Sequence, residues 1–169
     1  MAADGDVDAL ELRLDDACIA ALATAPLPPA DMRFLVAAMK SATVLERIGD
    51  DAAGIARGAM ASHAPNPRLA GLARHARGML GDAIEALVRS DNSLALRVLL
   101  DARTTRERAE ALARGVVQQP LADPAKLGEA FHDSAILQRL ERIAGHAASF
   151  ARMVLYATDT AAEPEGTAA

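Results

Sequence analysis

Four carboxylates have the type and spacing that could do chemistry. Glu46 and Asp50 stand four residues apart, and Glu11 with Asp15 repeats that spacing upstream. On a helix, side chains at i and i+4 lie one turn apart on one face. Two such pairs on adjacent antiparallel helices can offer four oxygen ligands to a hard or borderline divalent cation. The plainer reading is a solvated charged face compensated by Arg13 and Arg47, and spacing alone favours it.

Other candidates are weaker. Glu129-Ala130-Phe131-His132 is a Glu-x-x-His, but a di-iron carboxylate bundle needs two such motifs facing two further carboxylates, and this chain has one. His63 and His75 have no ligand-like company and read as surface histidines. The lone Cys18 reads as a small buried thiol and suits a reducing compartment. The chain has no Gly-rich phosphate loop, HExxH or nucleophile elbow, so nothing argues for catalysis, and a non-enzyme is expected. A carboxylate-bridged metalloenzyme would have only the single acidic constellation to rest on.

The elements that must position these residues are announced by a repeat. Leu45-Glu46-Arg47-Ile48 opens a stretch of thirteen residues that returns 95 positions later from Leu140-Glu141-Arg142-Ile143, with eight of thirteen identities. Each copy must therefore fold as the same supersecondary unit. Prolines at 26, 28, 29, 65, 67, 120 and 124 mark breaks between long segments of helical period. From Ala30 to about Ser62, Phe34, Ala38, Leu45, Ile48, Ala52, Ile55 and Ala59 step by three and four, predicting a helix of roughly 50 Å. Glu46 and Asp50 point away from that seam, toward solvent.

An earlier seam runs Val7, Leu10, Leu14, Ala17, Ala21, and a later one runs Leu69, Leu72, Ala76, Met79, Ala83; both read as antiparallel partners of the long helix. A fourth helix, capped at Asn92 or Ser93, carries Val98, Ala102, Ala109, Leu112 and Val116. The last opens at Asp123-Pro124 and carries Ile136, Leu140, Ile143, Ala147, Phe150 and Val154. The expectation is an all-α fold of tandem three-helix bundles with five helices in this chain. The first bundle, residues 4–64, is incomplete with two helices; the second covers 67–159, and a disordered tail covers 160–169. Shifting the second unit back by 95 residues would start the first before Met1, so a helix is missing there. Either two chains complete one another or the first pair is an open apolar groove; a truncated reading frame is the alternative.

Composition narrows the function classes. Apolar residues make up 51% of the chain and aromatics 2%, so its core is alanine, leucine, valine, isoleucine and methionine, suited to closely packed helices. A net charge of −5 without a basic run argues against nucleic acid as a partner. An acidic N-terminus and the lack of an apolar run near the ~20 residues of a bilayer span predict a soluble cytoplasmic protein with no membrane insertion.

The run Asp31-Met32-Arg33-Phe34-Leu35-Val36-Ala37-Ala38-Met39-Lys40, continued by Leu45-Glu46-Arg47-Ile48-Gly49-Asp50, resembles the PhoU family of phosphate-uptake regulators. Val7-Asp8-Ala9-Leu10-Glu11 is similar to that family's preceding helix. Leu140-Glu141-Arg142-Ile143 with His146, and Val154-Leu155-Tyr156, are similar to its second repeat. The resemblance covers about residues 4–159. It implies a short, divergent member lacking the first helix, an adaptor that forms a homodimer. It also implies negative control of phosphate uptake and of the phosphate-starvation response, through contacts with the phosphate-transport ATPase and a phosphate-sensing histidine kinase. Metal clusters on E/DxxxD motifs belong to the same implication: one cluster of iron, zinc or another divalent metal in the first bundle, held by Glu11, Asp15, Glu46 and Asp50. In the second half Glu141 faces Gly145 instead of an acid, and Thr104, Thr105 and Arg106 stand where the family is acidic. The alternative is a helical interaction module or transporter accessory protein without a role in phosphate signalling.

Overall fold

A computed structural model describes residues 2–24, 26–61 and 66–158. The expectations for His63 and for the tail at 160–169 lie outside the described residues, as does the side chain of Val7. Five helices follow one another: α1 (Ala2–Thr24), α2 (Pro29–Ala61), α3 (Pro67–Arg89), α4 (Asn92–Ala122) and α5 (Leu127–Ala157), with a 3-10 turn at Pro124–Lys126 leading into α5. Among the described residues there is no strand.

The local chemistry explains the boundaries. Asn66 caps α3, its Oδ1 accepting from the Arg68 backbone N–H at 3.0 Å, and Pro67 takes the first helical position, where a missing N–H costs nothing. Ser90 ends α3 in the left-handed conformation (φ 52°), and the Ser90 and Asp91 N–H groups return to Leu87 and Ala86 carbonyls. Asp91, and not Asn92 or Ser93, caps α4: its Oδ1 accepts from the Leu94 N–H at 2.9 Å. This tight turn needs no spare residue, so the cap sits one position earlier than the polar run suggests. Asp123 caps the 3-10 turn through the Ala125 N–H. Pro120 does not break the chain; α4 runs through it to Ala122, since a proline near a helix end removes only one bond.

α5 is the centre of the molecule. It packs against α2, α3 and α4; α3 also packs on α4, and α1 packs on α2 alone. The expectation that α3 is the direct partner of α2 is therefore corrected: α3 packs alongside α5 and α4, and meets α2 only through side chains, as where Ile55 joins the cluster of Leu69 and Leu72. The core joins Val44 and Ile48 of α2 to Met79, Val98, Ile143, Phe150 and Val154, and a second cluster gathers Leu69, Leu72, Ala109, Leu137 and Leu140. Phe150, fully buried, is the largest core side chain.

The seams of α3, α4 and α5 hold as expected, with Leu69, Leu72, Ala76, Met79 and Ala83 all buried. Those of α1 and α2 are rotated. In α2 Phe34, Leu45, Ala52 and Ala59 are exposed, and the face on α5 is Ala37, Ser41, Val44, Ile48 and Asp51. In α1 Leu10 and Ala17 are exposed, and Cys18 is the buried contact. Both helices are apolar on more than one face, so periodicity alone did not decide which face is covered.

Candidate functional site

The acidic set divides into two pairs. Thr43 on α2 donates its hydroxyl to Glu11 Oε1 on α1 at 3.0 Å, which ties the helices together and occupies one ligand oxygen. Glu11, Asp15 and Glu46 are half-buried and Asp50 is exposed, so Glu46 is less solvent-facing than its spacing implied. Among the described residues no group of three or more His, Cys, Asp or Glu is placed to hold a metal ion.

The acid that matters structurally is Asp51, which spacing did not single out. It is 7% exposed and accepts a fork of hydrogen bonds from Arg142 on α5, with Nε 3.1 Å from both carboxylate oxygens and Nη2 on Oδ1. Hydrogen bonding to Asp51 holds the Arg142 guanidinium proton more tightly than usual. Asp51 occupies the place in the first repeat that His146 occupies in the second, 95 residues on. Burial pushes the His146 imidazole below its ordinary range; the Asp51 charge acts against that, and the charges of Arg47 and Arg142 add to it. The two copies of the motif thus meet across the α2–α5 interface through Asp51, Arg142, His146 and Arg47. The signal in the sequence was Asp51 falling in step with Val44, Ile48 and Ile55, a polar residue in an apolar seam.

The remaining candidates are placed plainly. Glu129 and His132 are both exposed near the start of α5. His75 is not a plain surface histidine: it is half-buried, and its Nε2 is buried without a hydrogen-bond partner among the described residues. Cys18 is buried, and burial together with the Asp15 charge pushes its thiol up, away from the reactive thiolate. Asp133, another buried acid that spacing did not reveal, accepts from Asn66 Nδ2 at 2.7 Å and locks the α3 cap onto α5.

Two surfaces stand out. Along α1, Leu12, Ile19 and Leu22 are exposed at helical spacing, Leu12 to 67%, while Leu10 on α1 and Met32 and Phe34 on α2 are exposed as well. Because α1 packs on α2 alone, that flank of α1 is uncovered. Isolated exposed leucines are ordinary, whereas a series along one helix marks an interaction surface. The other is a groove of about 810 Å³ between α4 and α5, lined by polar and basic side chains including Arg103, Arg106, Arg142 and Arg152.

Fold and surfaces together define an all-helical repeat protein whose two motif helices pack on each other and whose prominent features are surfaces for contact. A family model described as the PhoU domain matches residues 1–59 and 69–154. The chain belongs to the PhoU family. It is 31% identical over 159 residues to the phosphate-specific transport system accessory protein PhoU homolog of Pseudomonas putida, a match covering 90% of this chain and 62% of that protein. The Pseudomonas aeruginosa homolog of the same description is 30% identical over 90% of this chain and 66% of its own length. The chain thus spans less than two thirds of the length of these curated relatives. The crystal structure of PhoU from Pseudomonas aeruginosa superposes with a TM-score of 0.86 at 28% identity, covering 91% of this chain and 77% of that one. The phosphate transport system regulatory protein PhoU from Streptococcus pneumoniae shares the fold with a TM-score of 0.82 at 22% identity.

Proposed function

We propose that this chain is a cytoplasmic regulatory accessory of a phosphate transport system. In this reading it restrains phosphate uptake and the phosphate-starvation response by docking on the phosphate-transport ATPase and on a phosphate-sensing histidine kinase. Family membership over both repeats supports the phosphate context, since the relatives carry accessory or regulatory names and not those of enzymes. The observation that carries the mechanism is the uncovered flank of α1: Leu12, Ile19 and Leu22 stand exposed at helical spacing on a helix that packs on α2 alone, and Phe34 of α2 is exposed too, the kind of side chains that anchor a partner helix. A homodimer through that same side is part of the proposal.

A purified phosphate-transport ATPase and the full chain test the docking surface directly. Association is expected, and Leu12→Gln with Phe34→Gln is expected to weaken it on the order of tenfold or more, as for hot-spot anchors. Unchanged association by a folded double variant would contradict this use of the surface.

A further inference from the structure

The two repeats differ most where their charge lies. At the 95-residue offset that aligns the motifs, Asp8 corresponds to Arg103, Glu11 to Arg106, Asp50 to Gly145 and Asp51 to His146. Four acids of the first repeat become two arginines, a glycine and a histidine in the second. The helix pair that carries these replacements, α4 with α5, encloses the groove of about 810 Å³, and Arg103, Arg106, Gly145 and His146 all line it. Arg142 and Arg152 add two guanidinium groups from α5, against one acid, Glu141.

Much of this positive charge is available. Arg106 is exposed and forms no ion pair among the described residues. Arg103 pairs with Glu107 at 3.5 Å, but both side chains are largely exposed, at 85% and 67%, so water and ligands compete easily with that contact. Arg152 gives one nitrogen to the Ser149 hydroxyl at 2.9 Å, and Arg142 holds Asp51 through Nε and Nη2, which leaves donors on each for another acceptor. Planar guanidinium forks suit phosphate oxygens, and a shallow groove with several of them suits an anion with more than one phosphate. The apolar part of the lining is Ala102, Ala144, Gly145 and Ala148. The lining has no Phe, Tyr or Trp; its one ring is the half-buried His146 imidazole, so the guanidinium forks and not a broad aromatic platform are the main recognition groups.

We propose that the α4–α5 groove binds a linear condensed phosphate, two or more linked phosphoryl groups without a base, through Arg103, Arg106, Arg142 and Arg152. The groove shares no residue with the apolar side of α1–α2, so the site stands or falls apart from the docking proposal.

Calorimetric titration of the purified full chain with tripolyphosphate at low ionic strength tests it. Parallel arms use orthophosphate, ATP and phosphatidylglycerol vesicles. Saturable binding is expected, tightest for tripolyphosphate and weakening as salt rises. Arg106→Glu and Arg152→Glu, both at exposed positions, should each lower affinity on the order of tenfold, and Arg106→Gln by less. Arg77→Glu, exposed on α3 and outside the groove, should leave it unchanged. Lack of saturable binding, equal loss with Arg77→Glu, tighter binding of ATP, or binding confined to vesicles would each overturn the assignment. Circular dichroism of every variant separates a lost site from a lost fold.

Discussion

Asp51 and Arg142 illustrate how one interaction can be both a clamp and a constraint. Asp51 is buried while the Arg142 side chain is 52% exposed, so the two ends of the pair are not equivalent. Arg142→Ala leaves a carboxylate in a poorly solvated site and should cost about 2–4 kcal/mol in urea unfolding, below the range for a fully buried pair. Asp51→Ala leaves a guanidinium that water can reach, and about 1–2 kcal/mol is expected. A double variant costing as much as the two singles added would show that the pair is not coupled. His146 gives a second prediction. Its folded form favours the neutral imidazole, so the unfolded chain binds more protons around the ordinary histidine range. That contribution is therefore complete above about pH 6.5 and is lost as pH falls through the lower folded value. Melting temperature should drop across this window, and His146→Gln should flatten the drop. A profile unchanged by that substitution would remove His146 from the account.

At the scale of elements, α2 and α5 approach closely where the repeats meet. A Cβ added at Gly54 would fall on the Arg139 side chain, 2.1 Å from its Nε, and one at Gly58 would sit 3.2 Å from Ile136 Cγ1. Arg139 is flexible and can swing aside from Gly54, whereas Gly58→Val, against Ile136, should cost about 1–3 kcal/mol through overpacking. Gly49→Ala, with nothing within 4 Å of the added carbon, should gain up to about 1 kcal/mol from helix propensity. Similar effects for the two would mean that the helices are not closely packed at Gly58. The cap of α3 is also an inter-helix device: Asn66→Ala removes the N-cap and the partner of buried Asp133, and should cost about 1–3 kcal/mol, against about 1 for Asp91→Ala. Helix existence was legible in the sequence because Leu69 to Ala83 and Ile136 to Val154 carry a single apolar face each. The orientation of α1 and α2 was not. Leu10, Leu12, Phe34, Val36 and Ala37 distribute apolar surface around those helices, and only the tertiary partner selects the face. Asp51 stood in the apolar seam as a polar exception, but its partner Arg142, like Asn66 for Asp133, lies far away in sequence, so spacing could not supply the pair.

For the whole molecule, one motif repeated 95 residues apart yields two helices that pack on each other, so that α5 carries the core of its own bundle and also a seam to α2. The repeat made the architecture readable at once. What it concealed was the division of labour between the copies, since identical Leu-Glu-Arg-Ile runs place Arg142 on a buried acid and leave its counterpart Arg47 exposed. The central claim is regulation by docking in a phosphate transport system. The most direct measurement expresses this chain in cells lacking their own PhoU and follows a phosphate-starvation reporter at high external phosphate. Restored repression is predicted, with loss of that repression for the Leu12→Gln, Phe34→Gln double variant at equal protein level. A reporter that stays fully induced despite soluble, folded wild-type chain would contradict the claim.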